Sequence, residues 1–483
     1  MLKASGIKPN RSDRELDRRI AALALPALGS IAAEPAYSLA DTAIVGHLGR
    51  VPLDSLAIAT TALNMTAWLA IFLATATTSA VAGLLAGRAA DRAARSAGAA
   101  YLVAAAGGIA VAVAMVVAAP WVAALLGAHQ LVLSGSVGYL RASAAGLPFL
   151  YLSYAGNGHL IGLADTRTPL QIAVTANVLN VVLEVFLVYG VHLGLLGSAW
   201  GTVTAQVAAA ALYAAASGRR ARVRPHRPGR TEVTALLRDG HQLSVRTIAL
   251  GVVPLTTTAI AARLGPVALG GQQIAMRVWY LLALLLDALA VPAQVYVSSC
   301  LGAGDPEGAH LVGRRTLRLG LIAGIGLGVV TAALAFWVPA LFTSDLAVRH
   351  AATVALEVAA LTQPLAALAF VLDGLILGLS DYVAMRRAMI LAILAYVPVA
   401  ALVLRFHALG LAGIWIALGL WLAARAALLG HRWRTQFRDR HPPTGVLPSK
   451  RGPDGNSVVR LGRRAGRAGR VRRGGVRRDL AGP

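Results

Sequence analysis

The sequence predicts an all-α polytopic membrane protein, with twelve transmembrane helices in two six-helix lobes related by an internal repeat. Three observations carry that prediction. First, 57% of the 483 residues are hydrophobic and 14% are charged, against about a quarter charged in a soluble domain. A chain this apolar has too few polar groups to cover a water-facing surface. Second, its charges leave long gaps: Arg141 is the only one between Ser96 and Ala164, and Glu184 the only one between Thr168 and Gly218. Each gap far exceeds the run of about 20 apolar residues that crosses a bilayer as a helix. Third, the chain resembles itself at a constant shift of 216 residues. TAIVGHLGRVPL (42–53) lies over TAIAARLGPVAL (258–269), GLAD (162–165) over GLSD (378–381), and LGLLG (193–197) over LGLAG (409–413). Six crossings return a chain to its starting side, so the two halves run in parallel, as in transporters that rock two lobes about a central cleft.

Lipid offers no partner for unpaired backbone groups and the period-2 pattern of a barrel is absent, so each crossing is a helix. Residues 1–19 carry both signs of charge and precede the first stretch, 20–46. That stretch contains Glu34 and Asp41 and is too long for a signal-peptide core, which argues against a cleaved signal. The second, 54–84, ends before Arg88, Arg92 and Arg95. The third and fourth, 97–126 and 138–163, divide the first charge gap at Gly127. The fifth and sixth, 170–190 and 197–217, divide the second gap at Gly190 and Gly194. An arginine-rich linker, 218–242, is broken by Pro225, Pro228 and Gly229. The second lobe then runs 243–263, 268–298, 317–341, 351–377, 388–404 and 409–429. The resulting division is a 1–19 N-terminus, a 20–217 N-lobe, the 218–242 linker, a 243–430 C-lobe and a basic, disordered 431–483 tail.

With the N-terminus cytoplasmic, inside segments hold 37 lysines and arginines and outside loops hold four. The positive-inside rule therefore places both termini and the linker in the cytoplasm. It also accounts for the net charge of +24 without nucleic acid. The segment 445–483 carries a net +9 and lacks the aromatic residues on which bases stack. Such a tail reads as a solvated positive-inside segment, with a clamp on anionic lipid as the alternative. Cys300 is the single cysteine, so intramolecular disulfides and Cys-based zinc sites are excluded. The histidines show no metal-ligand spacing, and no Walker A, nucleophile-elbow or His-Glu-x-x-His sequence is present. The chain reads as a non-enzyme without a cofactor, driven by an ion gradient.

Six acids fall inside the expected helices: Glu34, Asp41, Glu184, Asp287, Glu357 and Asp373. A charge at mid-bilayer costs roughly 2.5–3.5 kcal/mol, so such residues mark ion or substrate paths. Glu34 and Asp41 lie two turns apart on one helix face, and Asn177, Asn180 and Glu184 form a stripe on the fifth helix. Glu357 falls near the start of its helix and reads as interfacial. Asp287 shares a stripe with Gln273, Arg277 and Tyr280, where an ion pair with Arg277 competes with a binding role. The repeat places Thr257 and Ala400 opposite Asp41 and Glu184, so the first half reads as the ion-handling one. Pro26, Pro35 and Pro148 mark kinks or hinges.

Several segments in order resemble the multidrug and toxic compound extrusion (MATE) transporters, specifically the branch of DNA-damage-inducible protein F. They are AEPAYSLADTAIVGHLG (33–49), GLADTRTP (162–169), NVVLE (180–184), DALAVPAQ (287–294), LDGLILGLSD (372–381) and LAGIWIALGL (411–420). The match covers about residues 14–430. The resemblance implies a MATE-type fold and export of small organic, often cationic, compounds in exchange for protons or sodium. It maps the family's first-lobe cation site onto Asp41, Asn180, Glu184 and Thr202, with Asn157 nearby and Glu184 where Asp is more usual. Glu34, Asn157, Asn177, Asp287 and Asp373 are candidate cleft or supporting residues. Asp373 lacks the seventh-helix acid that pairs with it in members with a second-lobe site. A monomer in a bacterial inner membrane is expected. The alternatives are a flippase for a lipid-linked precursor, which needs an arginine-lined cleft, and a membrane transferase, which needs clustered Asp-rich motifs.

Overall fold

The computed structural model describes residues 13–220 and 223–438, and among them the regular structure is helical throughout. The expected N-terminal segment before Asp13 and the tail beyond Arg438 lie outside the described residues. In the first half the helices are α1 (Asp13–Gly46), α2 (Arg50–Ala86), α3 (Ala90–Leu125) and α4 (Gln130–Ala144). They continue with α5 (Leu147–Gly162), α6 (Arg167–Val185) and α7 (Leu195–Ala215). The second half holds α8 (Arg230–Leu264), α9 (Pro266–Asp287), α10 (Ala290–Gly302) and α11 (Pro306–Leu334). It ends with α12 (Leu346–Gly378), α13 (Tyr382–Arg405) and α14 (Gly410–Arg438).

Among the described residues eleven segments are long and apolar enough to span a membrane, α9 and α10 forming one of them. The twelfth crossing is shared by α4 and α5, which meet at Ala145 and Gly146. Both interruptions have the same cause. Pro148 has no N–H for the carbonyl of Ala144, and Pro292 none for that of Ala288. Pro26 and Pro35 sit inside α1, which continues through them.

The 216-residue shift recurs in the packing. A methyl group added at Gly158 would lie 2.7 Å from Ala74 Cα, and one added at Gly374 would lie 2.7 Å from Ala290 Cα. Only glycine lets α5 and α12 approach their neighbours this closely. Trp121 and Trp337, also 216 apart, are 69% and 67% exposed near helix ends, where amphipathic rings meet the membrane interface. On α6, Val174, Val178 and Val182 face outward as lipid-facing residues, while Asn180 and Glu184 are buried on the opposite side.

The expected linker is shorter in the structure. Helix α8 begins at Arg230, because Leu236, Gly240 and Leu243 form a buried stripe beneath the charges that disguise it. The preceding strap is tied to α3 by a His226 N–H donated to the Ala94 carbonyl at 3.0 Å. Arg95 Nε also donates to Glu232 Oε1 at 3.2 Å. The halves meet where α2 packs on α10. There Gln294 Nε2 donates to the Thr75 carbonyl at 2.7 Å and to Ser79 Oγ at 2.8 Å. Helix α14 runs past Gly430 to Arg438, burying Trp433 and pairing Arg432 with Asp381 at 2.7 Å.

Candidate functional site

Three helices of the first half each bring two polar groups, one turn apart, to a common point. Helix α1 brings Tyr37 and Asp41, α6 brings Asn180 and Glu184, and α7 brings Ser198 and Thr202. A 3.6-residue turn stacks groups spaced by four on one face. Gly201 lets α7 approach α6, since a Cβ there would stand 3.2 Å from the Glu184 backbone. Ser198 Oγ donates to Asp41 Oδ1 at 2.8 Å. The Tyr37 and Thr202 hydroxyls share a hydrogen bond of 2.9 Å, and Asn180 Nδ2 donates to Thr202 Oγ1 at 3.5 Å. Tyr139 on α4 closes the group with a 3.5 Å contact to Ser198 Oγ.

Asp41 is 4% exposed and Glu184 fully buried, and the two carboxyl groups lie side by side. Among the described residues both Glu184 carboxyl oxygens and Asn180 Oδ1 are buried without a hydrogen-bond partner. Buried polar atoms are normally satisfied, and three unmatched acceptors, two of them on the Glu184 carboxyl beside Asp41, are a set that can receive a positive charge. The donors are all oxygens, which suits a proton or a hard ion such as sodium. Among the described residues no cluster of three His, Cys, Asp or Glu residues occurs.

A cavity of about 260 Å³ opens on this site through Tyr37, Asn180 and Thr202, and Asn157 and Asn177 line it further along. Among the described residues its lining carries no charged side chain. Asn177 is anchored by donation to the Ala33 carbonyl at 2.9 Å. Glu34 lies on α1, and its side chain is outside the described residues. Thus Asp41, Asn157, Asn177, Asn180, Glu184 and Thr202 share one region. Tyr37 and Ser198 join them without having been expected. Each stands one turn from an expected residue, and that spacing was their only signal.

Asp287 and Asp373 belong elsewhere. Asp373 on α12 is 2% exposed and pairs through Oδ2 with Arg246 of α8 at 2.9 Å and with Arg425 of α14. Arg425 is itself sandwiched by rings, its guanidinium 5.1 Å from the Phe370 centroid and 5.4 Å from that of Trp421. Asp287 faces this cluster, with Arg246, Asp373 and Arg425 as its charged neighbours. The expected pairing of Asp287 with Arg277 does not form, since Arg277 projects to the exposed side of α9. Asp373 therefore has basic partners in place of the missing acid. Arg246 and Arg425 are consumed by this pairing, and Arg141 Nε donates to the Val116 carbonyl at 3.3 Å. An arginine-lined cleft for a pyrophosphate is not what these residues make.

Comparison with known proteins agrees with this architecture. The MatE family profile matches twice, over residues 26–186 and 243–402. Protein DETOXIFICATION 44, chloroplastic, of Arabidopsis thaliana is 32% identical over 89% of this chain and 84% of its own. DNA damage-inducible protein F of Escherichia coli strain K12 is 26% identical over 88% of this chain and 93% of its own. The Vibrio cholerae MATE transporter in its bent form superposes with a TM-score of 0.82 at 17% identity, over 88% and 98% of the two chains. The chain belongs to the MatE family of multidrug and toxic compound efflux transporters.

Proposed function

We propose that the protein is a cation-coupled antiporter that exports organic, cationic or amphipathic compounds by alternating access, with the coupling site in its first half. The observation that carries this is the buried Asp41–Glu184 pair with its unmatched acceptor oxygens, opening on a polar cavity. Two carboxylates in a low-dielectric site cannot both stay ionised cheaply, so the pair holds either a proton or a metal cation. An organic cation entering the cavity competes for the same pair. Competition for one charge is what makes influx of the ion expel the substrate. Ser198 holds the Asp41 carboxylate in place, Thr202 orders Tyr37 and Asn180 beside it, and bending of α1 at Pro26 or Pro35 links occupancy to the shape of the cleft. The second half has Thr257 and Ala400 at the equivalent positions and a self-neutralised cluster around Asp373, so it takes up no coupling ion. The arginine and lysine asymmetry supports cytoplasmic termini in a bacterial inner membrane, with the protein acting as a monomer.

The test is transport in reconstituted vesicles with a pH gradient or a sodium gradient imposed separately. Asp41→Asn and Glu184→Gln preserve volume and remove buried charge, so each folds and each loses gradient-driven export. Uphill export at the parental rate in both variants would move the coupling site elsewhere.

A further inference from the structure

We propose that Glu357 and the groove between α11 and α12 form a lipid-facing binding site for a hydrophobic monovalent organic cation. The starting observation is depth. Helix α12 begins at Leu346, five residues before the start expected from sequence, and its midpoint falls at Thr362. At 1.5 Å per residue, Glu357 stands about 8 Å from that midpoint, well inside a hydrocarbon half-thickness of about 15 Å. On that reckoning it stands within the hydrocarbon, about one to two turns below the interface. It is exposed on the outer surface of the protein, and no hydrogen bond or ion pair reaches it from the described residues. An uncompensated carboxylate at such depth is costly, and a mobile positive partner from the bilayer relieves that cost.

The surroundings select which partner. Glu357 sits in a groove of about 440 Å³, walled by Ile325, Val329 and Ala332 of α11 and by Leu361 and Pro364 of α12. That volume is within the range of small-molecule sites. The groove lining holds no basic or aromatic side chain. Pro364 supplies no N–H to the Ala360 carbonyl, which is covered by α11. That carbonyl lies against Gly328, where an added Cβ would come within 2.7 Å of its oxygen. One carboxylate in an apolar trough complements a single delocalised positive charge carried on an apolar body. A hydrated metal ion would find too few ligands there, and an anion would be repelled.

The internal repeat provides a comparison within the same chain. The position equivalent to Glu357 is Arg141, whose Nε donates to the carbonyl of Val116, the residue equivalent to Ala332. In the first half the corresponding trough is thus bridged by the protein's own cation. In the second half the charge at that position is reversed and left without a partner. This site stands apart from the Asp41–Glu184 pair and does not rest on the coupling role proposed for it.

The experiment uses the full chain in vesicles and a photoactivatable tetraphenylphosphonium, with labelled peptides mapped by mass spectrometry. Labelling is expected on 325–332 and 357–364, displaced by excess tetraphenylphosphonium but not by neutral triphenylphosphine oxide. Glu357→Gln should lower that labelling about tenfold or more. Labelling of the first-half cavity in the same sample shows that the variant is folded. Equal labelling in the variant, or equal displacement by the neutral compound, would overturn the proposal. So would a protein-concentration-dependent dimer that covers these peptides and is lost in Glu357→Gln, since a second copy would then be the occupant.

Discussion

Removing the charge of Asp373 should destabilise the protein before it affects any ion. The carboxylate is 2% exposed, Arg425 is 1% exposed, and Arg246 reaches the same oxygen. In Asp373→Asn two guanidinium groups face each other across a buried neutral amide. Breaking a buried ion pair costs about 3–5 kcal/mol, mostly because the surviving charge is left uncompensated. Two features place this case at the lower end. The amide oxygen can still accept one hydrogen bond, and Asp287 remains close enough to share the excess positive charge. A loss of about 3 kcal/mol corresponds to roughly a hundredfold in the folding equilibrium. Thermal denaturation of the purified protein in detergent, followed by the monomer peak on size exclusion, reads this as a clear fall in midpoint. The double variant Asp373→Asn, Arg425→Gln removes one stranded charge and should recover much of the loss. Vesicle transport measured at a temperature where the single variant remains folded should still respond to the gradient. A variant as stable as the parent but unable to couple would refute the reasoning, and would make Asp373 an ion-binding acid.

Three further outcomes can be checked independently. Ser198→Ala removes the donor to Asp41, a hydrogen bond to a charged group worth about 1.5–3 kcal/mol. It should shift the ion concentration for half-maximal export by roughly tenfold or more while leaving the helix intact. For orientation, a membrane-impermeant thiol reagent applied from outside should label Ser344→Cys but not Thr231→Cys, both exposed positions. Buried Cys300 is replaced by alanine in that experiment, and the reverse pattern would invert the topology. Deleting residues 445–483 should leave transport rates unchanged in vesicles of neutral lipid. A truncated protein that inserts normally but cannot transport would assign the tail a working part.

Much of the site could be read along single helices. The Asn180–Glu184 spacing puts both residues on one face, and Val174, Val178 and Val182 mark the opposite face as lipid-exposed. The same reasoning would have reached Tyr37 and Ser198 had every polar residue one turn from Asp41 and Thr202 been followed. What periodicity cannot supply is the identity of the opposing face. Ser198 and Asp41 are 157 residues apart, and Arg246 and Asp373 are 127 apart. Asp287 illustrates the failure: a basic residue on its own helix looked like its partner, yet the helix rotates Arg277 outward and turns Asp287 toward α8, α12 and α14.

The sequence by itself determined the membrane character, the helical class and the two-fold organisation. These follow from quantities local to the chain: charge gaps longer than a bilayer is thick, and a repeat at one offset. It also singled out Asp41 and Glu184, because carboxylates inside an apolar run are too costly to be incidental. Only the tertiary structure decided how the charges are matched. It gave Asp41 its serine and neutralised Asp373 with two arginines, and among the described residues it left Glu184 without a donor and Glu357 unpaired in an apolar groove. It also turned a charged linker into the first turns of α8. The physical reason is that a helix's periodicity fixes the direction of each side chain about its own axis. Which helix lies in that direction, and at what depth, depends on packing between segments a hundred or more residues apart.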